Sequence, residues 1–147
     1  MLPDKMNPIW SRPIAADERE TVITFLRREG YSGSIRKTDR LFVCELAGEI
    51  VGAVRLSRDE GVLVLRGMRV RNDVQRNGVG THLLNRVVLE VQSETCYCIP
   101  YRWLISFYAQ AGFREVTGEE IPAFIASRHA KYVNDGLDVV LMYRPPN

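Results

Sequence analysis

The sequence predicts one mixed α/β (α+β) domain, with a strand meander first and β-α-β crossovers after it. Three observations predict this fold class. The run "LFVCELAGEIVGAVRLSRDEGVLVLRGMRV" (Leu41–Val70) strings apolar, β-branched segments between tight turn signals. Val79, Leu83, Leu84, Val87, Val88 and Val91 then recur at helical spacing. Beyond them, short strand and helix patterns alternate without a repeat, a low-complexity tract or an internal linker. The chain has 147 residues, which suits a single domain with a real core.

In order, "NPIWSRPI" (Asn7–Ile14) reads as a first short strand, with prolines tolerable at a sheet edge. Ala16–Glu29 reads as a helix: Asp17, Glu18 and Glu20 open it, Val22, Phe25 and Leu26 share a face, Arg27 and Arg28 close it, and Gly30 stops it. Gly30–Arg40 is a polar loop with room for a short helical turn. Leu41–Ala47 meets Ile50–Ser57 across Gly48-Glu49, and Asp59-Glu60-Gly61 turns the chain into Val62–Arg71. That third run reads as the longest and most apolar and is expected at the sheet centre, with a bulge at Gly67. A helix follows from Gly78 to Gln92, then the strand "TCYCI", a helix over Tyr101–Ala111 stopped by Gly112, and the strand "FREV". Ile121–Tyr132 reads as helical and "GLDVVLMYR" as a final strand.

Composition narrows the function classes. A net charge of +2 is too mild for a nucleic-acid binder, which needs a strongly basic stripe. No apolar run reaches membrane-spanning length, and "MLPDKMNPIW" lacks the apolar core of a signal peptide. Cys44, Cys96 and Cys98 make neither an even disulfide set nor a zinc pattern, which points to the cytoplasm. Cys96 and Cys98 share one face of a short strand as small core residues, and no basic neighbour lowers their pKa. His82 and His129 lie off the apolar stripes, without a second ligand at metal spacing, so no metal is expected.

The glycine pair in "DVQRNGVGTHLL" (Asp73–Leu84) carries the chemistry. A P-loop would need Lys and Ser/Thr after the second glycine, where Thr81-His82 stand, and a dinucleotide fingerprint would need glycine at Leu83. Gln75-Arg76-Asn77-Gly78-Val79-Gly80 instead fits Gln/Arg-x-x-Gly-x-Gly/Ala between a strand and a helix. Backbone N–H groups from Arg76 to Thr81 gather at a helix N-terminus, and Gly78 and Gly80 leave the approach free of side chains.

This segment resembles motif A of the GNAT superfamily (Gcn5-related N-acetyltransferases), whose loop binds the pyrophosphate of coenzyme A. About thirty residues on, a distance that suits a helix-and-strand crossover, "ISFYAQAGFREV" (Ile105–Val116) resembles motif B: Phe107-Tyr108 match its aromatic pair and Gly112-Phe113 its turn. The resemblance covers Leu41 to Val116 and extends over the whole chain as a GNAT fold, a mixed central sheet of six to seven strands flanked by helices. It implies acetyl-CoA (coenzyme A) as donor. Gln75, Arg76, Asn77, Gly78, Val79, Gly80 and Thr81 would hold the pyrophosphate, and Met68, Arg69 and Val70 the pantetheine arm through their backbone. A backbone N–H between Gly67 and Val70 would meet the oxyanion. Tyr108 would be the general acid: a phenol of pKa ~10 can protonate a departing thiolate of pKa ~8.5. Phe107 and Phe113 read as core.

The chain departs from the family twice. Tyr101 stands where many members carry an asparagine that bonds the pantetheine arm. Val62–Asn72 holds no acid, where many carry a glutamate base. An alkylamine of pKa ~10.4 must still lose a proton. Glu45, Asp59 and Glu60 are near in sequence and read as solvated turn or strand-end charges; a chain of waters or an acceptor of low pKa would serve as well. Arg55, Arg58 and Arg71 read as strand-end charges, whereas Arg66 and Arg69 crowd an apolar strand. An acidic part of the acceptor or the coenzyme's phosphates would satisfy those two. Arg128 lies where the family often shapes the acceptor pocket. The expected activity is acetyl transfer to a primary amine, on a small molecule or peptide, by direct attack in a ternary complex, with no nucleic-acid or membrane partner. A homodimer is compatible. The rival readings are a non-catalytic acyl-CoA sensor on the same fold and, on the glycines alone, an ATP or dinucleotide binder.

Overall fold

The computed structural model describes residues 9–118 and 120–147. Seven strands, β1 (Ile9–Pro13), β2 (Arg40–Leu46), β3 (Glu49–Asp59), β4 (Val62–Val70), β5 (Cys96–Cys98), β6 (Arg114–Glu115) and β7 (Met142–Arg144), form one mostly antiparallel sheet in the order β1-β2-β3-β4-β5-β7-β6. β4 is the middle strand as expected, but it is not the longest, since β3 has 11 residues to its 9. The helices are α1 (Arg19–Arg28), α2 (Val79–Val91), α3 (Ile105–Ala109) and α4 (Ala123–Asn134). The chain forms two compact units: residues up to Ser57 with Arg66–Glu90, and Arg58–Leu65 with Val91–Asn147.

In the first unit, β1 pairs antiparallel with β2 from Ile9↔Leu46 to Pro13↔Phe42, at the sheet edge where a proline removes no needed donor. The expected strand also took in Asn7 and Pro8, which lie outside the described residues. The β2–β3 hairpin turns on Ala47 (φ +56) and Gly48 (φ +80), one residue earlier than expected. Positive φ at both positions is what a type I′ loop demands. Side chains then alternate across the sheet. Leu41, Val43 and Ala53 meet Val22, Phe25 and Leu26 of α1. Each of the fully buried Val22 and Leu26 contributes about 1.5–3 kcal/mol by leaving water. The next residue round, Gly52, faces the other way: a Cβ there would stand 3.2 Å from Val79 Cγ1 and 3.6 Å from Cys44 Cβ.

The end of α1 decides where Tyr31 falls. Gly30, at φ +92, donates its N–H to Arg27 O (3.1 Å), and Tyr31 donates to Leu26 O (2.9 Å). This is a Schellman cap, whose residue after the glycine packs back on the helix; Tyr31 joins the α1 cluster accordingly. The loop that follows has no helical turn. Its shape comes from a tight turn closed by Asp39 N–H to Arg36 O at 3.0 Å.

The second unit holds the parallel pair β4–β5, with register Leu63↔Cys96 and Val64↔Tyr97, and the antiparallel pairs β5–β7 and β6–β7. Val64, Tyr97, Ile125 and Leu141 form its core on one face. On the other register set, Cys96 pairs with Arg144 and Cys98 with Met142. All three cysteines are free and buried; burial pushes the Cys96 thiol up to about 12 and the Cys98 thiol well upward, which disfavours the thiolate form. The last strand is shorter than expected. "GLD" caps α4 instead: Gly136 has φ +90 and Leu137 N–H returns to Tyr132 O at 3.0 Å.

Candidate active site

The glycine loop lies between β4 and α2. A 3₁₀ turn, Asn72–Val74, follows Arg71, whose N–H is fixed to Val51 O at 2.8 Å. Arg76 (φ +72) and Gly78 (φ +81) are both left-handed, with Asn77 between them outside that region. Left-handed residues on either side of Asn77 fold the loop back just before α2. A left-handed arginine costs about 1–2 kcal/mol, which marks a loop held in shape against local preference. A Cβ at Gly78 would meet nothing within 4 Å, so this glycine is set by its φ and by an open approach. The first turn of α2 brings Val79, Gly80 and Thr81 into line, with His82 N–H to Gly78 O at 3.0 Å as the bond that starts the helix.

Not every expected donor is free for a ligand. Asn77 N–H is bound to Val74 O (3.2 Å) and Gln75 N–H to Asn72 O (3.3 Å). The Gln75 carboxamide donates to Val70 O and Asn72 Oδ1, both at 3.0 Å, so its side chain braces the loop against the end of β4.

Met68, Arg69 and Val70 lie past the last β4 residue that pairs with β5. Gly67, expected as a bulge, is left-handed (φ +65) inside the strand. A Cβ there would come within 2.6–2.9 Å of the Tyr31 ring, and one at Gly33 would collide with its hydroxyl. Both glycines therefore make room for Tyr31. Arg55 Nη1 donates to the Tyr31 hydroxyl at 2.6 Å, and Arg55 Nε to Asp39 Oδ2 at 2.6 Å. Asp39 also accepts the Arg36 N–H at 2.8 Å. Burial alone would raise the Asp39 carboxyl, but that N–H and the Arg55 guanidinium hold it below its ordinary value. The sequence reading missed Tyr31 and Asp39, and it placed Arg55 among strand-end charges, whereas Arg55 is buried. The available signal was the Gly30-Tyr31 cap.

The other arginines divide. Arg58 forks onto Glu94 with two 2.9 Å bonds and Arg71 onto Asp73 at 2.6 and 2.9 Å, both at the surface as expected. Of the acids considered as bases, Glu45 is bound to Arg12 at 2.9 Å and Asp59 is buried rather than solvated. Glu60 is exposed at φ +50 in the β3–β4 turn. His82 is exposed as expected, yet shares a 2.7 Å hydrogen bond with the buried Ser11.

In the second unit Tyr108 is buried in α3, edge-on to Phe107 (5.0 Å) and Phe113 (5.8 Å). The turn behind it depends on Gly112 (φ +96) and on Arg144, whose Nε donates to Ala111 O at 2.9 Å. Tyr101 is exposed and stacks on Trp103 with ring centres 4.6 Å apart. Arg128 is part-exposed on α4.

Residues 37–115, more than half of the chain, match the family model described as "Acetyltransferase (GNAT) domain". The chain belongs to the GNAT acetyltransferase family. The fold of this GNAT acetyltransferase is similar to that of the ribosomal-protein-S18-alanine N-acetyltransferase from Escherichia coli, at 17% identity over 93% of each chain, with a TM-score of 0.67. It is also similar to a GNAT acetyltransferase from Streptococcus pneumoniae (14% identity, 95% and 99% covered, TM-score 0.69). A third likeness is to a GNAT acetyltransferase from Elizabethkingia anophelis solved with acetyl-CoA bound (16%, 93% and 97%, 0.59). Comparison with curated protein sequences finds no match. Among the described residues of this GNAT chain, no group of three His, Cys, Asp or Glu could hold a metal ion, and no helix is long and apolar enough to cross a membrane.

Proposed function

We propose that the chain transfers an acetyl group from acetyl-CoA to a primary amine on a small molecule or peptide, in a ternary complex without a covalent enzyme intermediate. The observation that supports this reading is the pair of left-handed residues, Arg76 and Gly78, at the N-terminus of α2, where helix N–H groups without intrahelical partners would suit an anion. Acetyl-CoA, when bound, supplies the thioester carbonyl that the amine attacks. The N–H groups of Arg76, Gly78, Val79, Gly80 and Thr81 would hold its pyrophosphate, and the backbone of Met68, Arg69 and Val70 its pantetheine arm. As the C–N bond forms and the C–S bond breaks, Tyr108 would give its proton to the leaving thiolate, and the amine would lose one to solvent. We further read both compact units as one working domain, since β4 contributes residues to each, and place the protein in the cytoplasm, where three free thiols stay reduced.

A thermal-shift series with acetyl-CoA, coenzyme A, ATP and NAD tests the donor assignment. At a hundred times its Kd a ligand adds ~2.7 kcal/mol, worth roughly 5–10 °C in a domain of this size. A shift with only the coenzyme A compounds is expected. No shift with any of the four at millimolar concentration would overturn the reading, and a shift with ATP or NAD would favour a general nucleotide site.

A further inference from the structure

Three guanidinium groups gather round the single phenol ring of Tyr31, and they are not equivalent. Arg55 is buried and neutralised by Asp39. Arg27, exposed at the end of α1, stands 5.9 Å from the ring centre and donates to Tyr31 O (2.9 Å) and Gly33 O (2.7 Å). Arg69, half-buried on β4, stands 5.5 Å from the ring centre and donates from Nη1 to Met68 O at 3.0 Å. Among the described residues, no carboxylate lies within ion-pair distance of Arg27 or Arg69.

Elsewhere Arg12 is bound by both Glu18 and Glu45, and Arg86 by Glu90, whereas Arg69, like Arg19 and the buried Arg144, meets only carbonyl or amide oxygens. A half-buried guanidinium gives up part of its hydration, and a fixed carbonyl and a ring face return only part of that. Its fork is built for a carboxylate. Its position is fixed as well. Tyr31 is locked by the Arg55–Asp39 pair and by the α1 cap, and Gly67 and Gly33 keep the ring pressed to β4. Gly67 and Arg69 both meet the Tyr31 ring, so they face the same side of the strand.

We propose that Arg69, stacked on Tyr31, binds a carboxylate of the acceptor, so that the substrate class is amino acids or other carboxylate-bearing amines. Arg27 adds long-range attraction for the same charge. The assignment rests on the acetyltransferase reading above and deepens it: the pyrophosphate has its own cradle at the α2 terminus, which leaves Arg69 to the acceptor.

The experiment uses glycine, L-alanine, β-alanine and 4-aminobutyrate, each beside its carboxamide, with L-glutamate beside L-glutamine. Binding is followed by calorimetry in the presence of coenzyme A, and kcat/KM with acetyl-CoA. At least one carboxylate is expected to be preferred over its amide by tenfold or more in both measurements. Arg69→Gln should erase that preference, about ten- to a hundredfold, with the loss in KM, while Arg69→Lys retains part of it. Melting curves establish that each variant folds, and Arg69→Lys carries the test if Arg69→Gln does not. Absence of any carboxylate preference, or one that survives in Arg69→Gln, overturns the proposal. If acetyl-CoA shifts the melting temperature while carboxylates are not preferred, only the acceptor assignment fails. If acetyl-CoA does not bind, the parent reading fails, and carboxylate binding that remains would mark an anion site unconnected with acetyl transfer.

Discussion

The Arg55 guanidinium donates through Nε to Asp39 at 2.6 Å, with 4% of one side chain and none of the other exposed. A pair so far from water is an obligation as much as a stabiliser. The net value against two apolar residues of like volume is near zero, but removal of one partner strands a buried charge. Asp39→Asn and Arg55→Met should therefore each cost about 3–5 kcal/mol in urea unfolding. The double variant Asp39→Leu/Arg55→Met should lose much less than the sum. Additive losses would show that the two residues act independently. Arg55→Met should also free Tyr31, seen as a rise in KM for the acceptor larger than any change in acetyl-CoA affinity.

Acid should weaken the fold through two carboxylates of the first unit. Hydrogen bonds from Arg12 and from the Ala15 N–H hold Glu18 at about 2, and Asp39 lies below its ordinary value because Arg36 and Arg55 outweigh its burial. For a depressed carboxyl the stabilisation is present above the unfolded pKa, about 4, and is lost as pH falls through the folded value. Melting temperature should thus decline from pH 5 towards pH 2. Glu18→Gln should make that decline shallower, and salt should shrink the Glu18 part, since its side chain is a quarter exposed. Identical pH profiles for Glu18→Gln and the native chain would contradict the assignment.

Most of the fold was legible because its signals are local. Periodicity located each strand and helix, and Gly30, Gly61 and Gly112 each fell where a positive φ is needed. Boundaries moved where a cap competed with a pattern, as at Gly136-Leu137-Asp138, which continues the strand pattern by composition but closes α4 by hydrogen bonding. The left-handed turn at Gly78 was legible, since Gly78 stands in a motif, whereas the left-handed Arg76 carries no compositional mark. The Tyr31 cluster was not legible. Tyr31, Asp39, Arg55 and Gly67 are spread over 37 positions of sequence; the α1 cap places Tyr31 locally, but its meeting with Arg55 and Gly67 depends on the neighbouring strands β3 and β4. No local pattern encodes that meeting.

Two glycines with positive φ separate binding from packing. Gly78→Ala puts a methyl group into open space, so its cost is the left-handed backbone alone, about 1–2 kcal/mol. The same methyl stands on the approach to the α2 N-terminus, and the affinity for coenzyme A should fall by more than stability does. Gly67→Ala adds a contact of 2.6 Å with the Tyr31 ring to a φ of +65 and should be the more destabilising of the two. Calorimetric Kd values beside urea midpoints decide this; equal effects of both variants on stability would contradict the packing argument.

Tyr108→Phe distinguishes an enzyme from a sensor. The ring lies between Phe107 and Phe113, and loss of the hydroxyl leaves those edge-on contacts in place. Stability should change by no more than about 1–3 kcal/mol, the cost of a buried partner left unbonded. A general acid is worth roughly 10²–10⁴-fold, so kcat should fall by that order with KM for acetyl-CoA little changed. The loss should be smallest with thioesters of acidic thiols, which leave without a proton. A variant with native turnover would remove Tyr108 from the chemistry. Absence of turnover in the native chain across the amine panel, with coenzyme A still bound, would favour the non-catalytic acyl-CoA sensor, for which the lack of any acid between Val62 and Asn72 is the supporting observation.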